Sequence, residues 1–216
     1  MLQEEKRKMD PIIEDGVIAG NFYDKYGTKN PVARYLVNNF HLSLDRLVAE
    51  TGAEEIHEVG CGEGNLSIPW ARQKKTVRSS DFSHQVIEKA KENADRNKVD
   101  ISFKAVSIYE LDPEHDAAEL IVCCEVLEHL ETPGEALDIL VQLASPYLIV
   151  SVPREPLWRI LNVVRGKYVK SFGNTPGHIQ HWSKQTFLKQ LSSRLDLIRV
   201  TTPFPWIMAL CRSKKA

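Results

Sequence analysis

No apolar run in this sequence approaches the ~20 residues that a bilayer-spanning helix needs. Its opening stretch, MLQEEKRKMD, also lacks the apolar core of a secretory signal. Cysteine is scarce: Cys61, Cys123, Cys124 and Cys211 form no CxxC pair and no framework able to staple a chain of 216 residues. Neither sign of charge is in excess. With 28 basic against 29 acidic side chains, the net charge of −1 gives no global attraction to nucleic acid. Internal repeats and low-complexity stretches are lacking too. These absences set aside membrane spans, disulfide scaffolds and DNA partners, and they predict a cytoplasmic protein in a reducing compartment. What remains is an ordinary globular composition, 43% apolar and 26% charged, in a chain long enough to bury a sizeable core as one domain.

The order of patterns along the chain sets the fold class. Residues 1–50 read as helical, with Val32, Tyr35, Leu36, Phe40, Leu44 and Leu47 at helical spacing and Gly52 as the stop. From residue 55 strands and helices alternate: EEIHEVG, GNLSIPWARQK, KTVRSSDFS, SHQVIEKAKENADRN, ISFKAVSIYEL, ELIVCCEV, PGEALDILVQLA and PYLIVSVP. Such alternation predicts a Rossmann-like, doubly wound α/β sheet with helices on both faces. After a segment at 153–181 that matches no simple unit, a helix (WSKQTFLKQLSS) leads into LDLIRVTTPFP and WIMALCRSK. Those two strands are joined too tightly to be parallel, so the sheet is expected to be mostly parallel with one antiparallel strand near the C-terminal end.

The stretch EVGCGEGNL closes the first strand of that alternation with Gly60, Gly62 and Gly64. A glycine cluster there lets backbone approach a ligand at the carboxyl edge of the sheet. A tight turn is the plain alternative. The spacing is GxGxG rather than the dinucleotide GxGxxG, and no Gly-Lys-Ser/Thr follows as in a phosphate-binding P-loop. Asp81 closes the next strand, where a carboxylate can accept from the two hydroxyls of a ribose. Asp81 could instead cap the following helix, but Ser83 can take that task. Phe82 is placed to pack on a purine.

Together, EVGCGEGNL, SSDFS and VCCEVLEHLETPGEAL resemble the class I S-adenosylmethionine-dependent methyltransferases, and most closely the small type-11, ubiquinone-biosynthesis-like group. The resemblance covers residues ~50–153 well and the final strand pair in outline. It implies the seven-stranded methyltransferase fold, with S-adenosylmethionine as cofactor and S-adenosylhomocysteine as product. The implied cofactor contacts are Glu58, Gly60, Cys61, Gly62, Gly64, Asp81, Phe82, Ser107, Ile108 and Glu125. Ser107 stands where the family often has an aspartate against the adenine amino group.

A second constellation lies in CEVLEHL. If the chain turns helical there, Glu125, Glu128 and His129 fall at i, i+3 and i+4 and share one face. Two carboxylates and an imidazole can hold a divalent cation such as Mg²⁺. The pattern resembles the metal centre of small-RNA 2′-O-methyltransferases and of some ubiquinone-pathway O-methyltransferases, which implies His181 as the closing ligand. Without metal a histidine is the natural general base, and the order of expectation is His181 and His178, then His129. A purely structural role for each of these groups stays open.

Residues 154–172 carry Leu157, Leu161, Val164 and Tyr168 interleaved with Arg159, Arg165, Lys167 and Lys170. A basic amphipathic segment can close a pocket, lie on a membrane or meet a partner, and a lid over the acceptor is the leading expectation. Tyr23 and Tyr26 could complete it. The expected organisation is one domain over 1–216. It comprises an N-terminal helical lid (1–50), a cofactor-binding core (51–153), a substrate-lid insertion (154–181) and a C-terminal helix with a strand pair (182–216). The expected activity is methyl transfer to a small-molecule hydroxyl of a quinone precursor, natural product or sugar. A metal-dependent RNA 2′-O-methyltransferase, a non-catalytic cofactor-binding partner and an NAD-dependent enzyme are the rivals. Oligomeric state cannot be read from the sequence.

Overall fold

A computed structural model describes residues 12–14, 17–19, 30–164, 166 and 168–214, with the side chains of 12–14, 17–19 and Lys170 excepted. Tyr23, Tyr26, Arg165 and Lys167 lie outside the described residues. Two short strands, β1 (Ile12–Glu14) and β2 (Val17–Ala19), pair antiparallel where helix was expected. The two residues between them in the sequence are Asp-Gly, the dipeptide that most strongly favours a hairpin.

The first helix, α1 (Pro31–Thr51), starts at Asn30, whose side chain accepts from the N–H groups of Val32 and Ala33 at 2.9 and 3.3 Å. It stops at Gly52, which is left-handed. Its second half is core rather than lid: Phe40, Leu44, Leu47 and Val48 are buried against the sheet. Then follow β3 (Glu55–Val59), α2 (Ser67–Arg72), β4 (Thr76–Asp81), α3 (His84–Asn97) and β5 (Ser102–Ala105). After them come α4 (Pro113–Asp116), β6 (Ala118–Cys124), α5 (Pro133–Leu143) and β7 (Ala144–Pro153). The chain ends with α6 (Leu157–Val164), α7 (Lys184–Ser192), β8 (Leu195–Thr201) and β9 (Trp206–Ser213). The strand expected over ISFKAVSIYEL stops at Ala105. Ser107 and Glu110 there form a reciprocal capping box that winds Ile108–Glu110 into a 3₁₀ turn.

Seven strands make one sheet in the order β5-β4-β3-β6-β7-β9-β8. Pairings among β3 to β7 are parallel, and β9 runs antiparallel to both β7 and β8. This is the mostly parallel sheet with a reversed strand that the sequence predicts. Chain order switches direction between β3 and β6, which opens a crevice at their carboxyl ends.

One face of the sheet (Ile56, Leu120, Val122, Ile149, Met208, Leu210) packs on α1 and Trp70 of α2. The other (Ile121, Cys123, Leu148, Val150, Ile207, Ala209) packs on α5 and on Phe187 and Leu191 of α7. Burial on both faces is why β6 and β7 read as continuous apolar runs.

Candidate active site

The glycine loop bends at three left-handed residues, Gly60 (φ 77°), Gly62 (φ 52°) and Gly64 (φ 78°). Gly60 answers a packing need as well as a conformational one. A Cβ there would sit 2.2 Å from Cγ2 of Val126, so the loop after β6 lies directly on the glycine loop. At Gly62 nothing lies within 4 Å of the corresponding position, and backbone faces open space. The bend is pinned by Gly60 and Cys61 N–H groups donating to the Ser80 carbonyl at 2.7 and 3.0 Å.

Asp81 ends β4 at the same edge and is 8% exposed. Its Oδ2 accepts from the Gly62 N–H at 3.0 Å and its Oδ1 from the Ser83 N–H at 3.1 Å. Ser83 does cap α3, accepting from Val86 at 3.2 Å. That leaves Asp81 at the crevice, but its carboxylate also fixes the loop. A carboxylate oxygen can accept more than one hydrogen bond. Phe82, 36% exposed, stands beside it.

Four residues expected at the cofactor have side chains enclosed by the protein or engaged within it. Glu58 is enclosed: Ser67 Oγ donates to its carboxylate, and Ser67 and Ser79 hydroxyls are 2.6 Å apart. Burial pushes the Glu58 carboxyl up to about 8, against the hydrogen bond from Ser67 and with the charge of Asp81. It braces the loop from beneath, because the even positions of β3 face the α1–α2 layer. Ser107 spends its hydroxyl on the Tyr109 N–H in the capping box. Ile108 is buried in the core facing α5, and the Cys61 thiol, also buried, is held well above the usual thiol range by burial.

The loop after β6 departs from the expected helix face. Glu125 takes φ 60°, and only Leu127–His129 form a 3₁₀ turn. Glu125 therefore points away from Glu128, toward β7 and β9: Ser151 Oγ donates to its Oε1 at 3.0 Å and Trp206 Nε1 to its Oε2 at 2.5 Å. The groups brought together are Glu128, His129 and His178, whose ligating atoms all lie within 4.8 Å of one another. Glu128 is 1% and His178 8% exposed.

His129 Nδ1 meets the Gly177 carbonyl at 3.0 Å. A carbonyl can only accept, so Nδ1 carries the proton and Nε2 presents a lone pair. His178 meets His129 edge to face at 4.8 Å and stacks with Trp158 at 6.0 Å. The insertion is stitched on by Ile179 and Gln180 N–H groups donating to the Glu128 carbonyl at 2.9 and 3.0 Å. His181 does not join this cluster. It is exposed, its Nδ1 donates to the Gln180 carbonyl at 2.7 Å, and it lines a groove of about 500 Å³ with Trp182, Thr186, Lys189, Gln190 and Ser193. Of the predicted cation ligands, Glu125 and His181 thus fall outside the cluster, and His178 takes the closing place.

A family model described as "Methyltransferase domain" matches residues 56–146, the span that holds the glycine loop, Asp81 and Glu128. Residues 56–146 thus form an S-adenosylmethionine-dependent methyltransferase domain. The ubiquinone biosynthesis O-methyltransferase of Rickettsia conorii is 32% identical over 140 residues, which is 63% of this chain and 47% of the relative. The enzyme of the same name from Coxiella burnetii is 24% identical over 67% of this chain and 61% of its own length. The chain thus spans about half to three fifths of the curated relatives it matches.

The fold is shared with the magnesium protoporphyrin IX methyltransferase of Synechocystis, solved with S-adenosylhomocysteine bound. Its TM-score is 0.67 at 22% identity, over 87% of this chain and 90% of that one. The proteins it resembles include O- and N-methylating enzymes, so the domain implies S-adenosylmethionine as cofactor and leaves the acceptor open. No helix among the described residues is long and apolar enough to cross a membrane.

Proposed function

We propose that this methyltransferase acts on an oxygen of a small-molecule acceptor, and that Glu128, His129 and His178 form the chemical end of its site. The observation that carries this reading is the contact between Val126 and Gly60. It supports a site shared with the glycine loop, because Glu128 and His129 follow Val126 by two and three positions in the same loop. An oxygen acceptor must lose its proton to become a competent nucleophile, and the cluster supplies lone pairs for that purpose. The O-methylating relatives among the sequence matches point the same way.

In this reading Gly62 and Asp81 receive the adenosyl group, with Phe82 alongside. Bound there, the cofactor would supply a methyl group already activated on sulfonium sulfur, and its transfer to the acceptor oxygen would leave a neutral thioether. The acceptor proton would pass to an imidazole nitrogen of His129 or His178. The cofactor is already activated, so holding donor and acceptor in line and dry supplies most of the acceleration.

The cluster's donor set also suits a divalent cation, since a buried carboxylate and two imidazoles have their ligating atoms within 4.8 Å of one another. Glu128, His129 and His178 would hold it, and the mixed N and O donors suit Mn²⁺ or Zn²⁺ better than Mg²⁺. When bound, a cation would polarise the acceptor hydroxyl and lower its pKa. The test is transfer from labelled S-adenosylmethionine to a panel of phenols, catechols and amines, with and without chelator. O-methylated products lost in His178→Ala support the reading, and products methylated only at nitrogen overturn it.

Apolar side chains exposed on the insertion, Val164 at 77%, Val169 at 56% and Phe172 at 79%, favour a second role for 154–172 as a contact with a membrane surface. Co-sedimentation with anionic vesicles, lost in Phe172→Asp, is the outcome expected of it.

A further inference from the structure

Glu125 was expected both at the cofactor and in a cation site, yet its carboxylate is committed to β7 and β9. Its backbone is in the left-handed region, which disfavours any residue with a Cβ. Bonds from β7 and β9 hold it there. Its N–H donates to the Ser151 carbonyl at 3.1 Å, and its carboxylate accepts from Ser151 and, at 2.5 Å, from the indole N–H of Trp206. Trp206 pairs with Pro153, the last residue of β7, just where the insertion begins. Its ring is 5.1 Å from Phe40 of α1 and 5.6 Å from Trp158 of α6. Trp158 donates to Thr175 at 2.9 Å and stacks on His178 of the cluster. A row of contacts thus runs from Glu125 across two indoles to the imidazole on the opposite side of the cleft.

We infer that Glu125 is a positioning residue: it holds the Trp206 indole against Trp158 and so fixes the insertion over the acceptor side of the site. The inference rests on the reading of residues 125–129 and the insertion as the two walls of that site. A buried indole N–H demands an acceptor, and a carboxylate is the strongest available. An indole held by one edge presents a fixed face to the next ring. The sheet edge can thereby order a segment that has little regular structure of its own.

Three variants separate this role from direct ligation. Glu125→Gln keeps an acceptor for Trp206, Glu125→Ala removes it, and Trp206→Phe removes the donor while keeping a ring. The readouts are the Trp206 indole N–H resonance, identified by its loss in Trp206→Phe, amide exchange of residues 157–164, and calorimetric affinity for S-adenosylhomocysteine and for Mn²⁺.

In Glu125→Ala the indole resonance should move and residues 157–164 exchange roughly tenfold faster, while S-adenosylhomocysteine affinity stays within about threefold of wild type. Glu125→Gln should restore the slow exchange, and Trp206→Phe should reproduce the fast one. If Glu125→Gln loses S-adenosylhomocysteine or Mn²⁺ affinity as fully as Glu125→Ala, the carboxylate is a direct ligand and the inference falls. It falls equally if exchange in 157–164 is the same in wild type, Glu125→Ala and Trp206→Phe. Should Glu125→Ala fail to fold, Glu125→Gln and Trp206→Phe decide by the same readouts. Wild type that binds no S-adenosylhomocysteine would overturn the proposed function, yet the resonance and exchange data would still judge the role of Glu125.

Discussion

The glycine loop with Asp81 and the insertion with His178, the two sides of the proposed site, are built in different ways. In the first, each side chain is set by neighbours close in the strand order: Gly60 and Cys61 to Ser80, Asp81 to Gly62 and Ser83. In the second, ties reach across the chain: His129 to Gly177, 48 residues on, and Glu125 to Trp206, 81 residues on. A wall made of local bonds on parallel strands is rigid without ligand. A wall made of a few long-range ties is where opening costs least.

The largest effect is expected where the rigid wall has no slack. Gly60→Ala combines left-handed strain with a 2.2 Å clash on Val126, together about 2–5 kcal/mol. Calorimetry should find S-adenosylhomocysteine binding abolished, and undiminished binding would refute the contact between the two loops. Next is His178→Ala, expected to lower turnover roughly 100-fold as for loss of a general base or ligand, with cofactor affinity nearly unchanged. A parallel loss of cofactor affinity would mean that the two walls do not divide the labour. Asp81→Asn keeps an acceptor on each backbone N–H only by half, and should weaken S-adenosylhomocysteine by roughly tenfold, the loss of one charge-assisted bond.

Stability against pH sharpens the contrast, because His57 and Glu58, both buried on β3, sit under the rigid wall. His57 is enclosed between the Asp116 carbonyl and Ser80, and burial lowers its pKa from 6.5. The unfolded chain takes that proton more readily, so the stability His57 contributes is present above 6.5 and is lost as pH falls below it. Glu58 acts in the opposite sense. Its folded pKa of about 8 exceeds the ordinary 4.5, so its contribution is complete below 4.5 and declines as pH rises through about 8. Melting temperatures of Glu58→Gln should lose that alkaline decline, and an unaltered profile would show that Glu58 is ionised in its enclosure. The smallest effect belongs to the exposed insertion: Phe172→Asp should shift global stability by less than about 0.5 kcal/mol, read by urea unfolding.

Much of the rigid wall was legible in the sequence. Strand and helix periods, the capping residue Ser83 and the reversed strand forced by a short connection all follow from local chemistry. The functional spacing in EVGCGEGNL and the acid at Asp81 were readable for the same reason. Glu125 was misplaced because the helical spacing ExxEH assumes φ below zero, and the chain instead takes φ 60° at that residue. The choice of His178 over His181 was equally hidden. They lie three positions apart, and the bonds from Ile179 and Gln180 to the Glu128 carbonyl accompany one ring turned inward and the other left in the groove. The Asp-Gly between β1 and β2 did carry a hairpin signal, outweighed by the polar, helix-like look of its surroundings.

By itself the sequence determined the parallel sheet, the glycine bend and the acid beside it, because backbone sterics and hydrophobic period act over a few residues. Tertiary structure alone decided which carboxylate and which imidazoles meet. Their positions depend on contacts between segments about 50 to 80 residues apart, and no local preference encodes those.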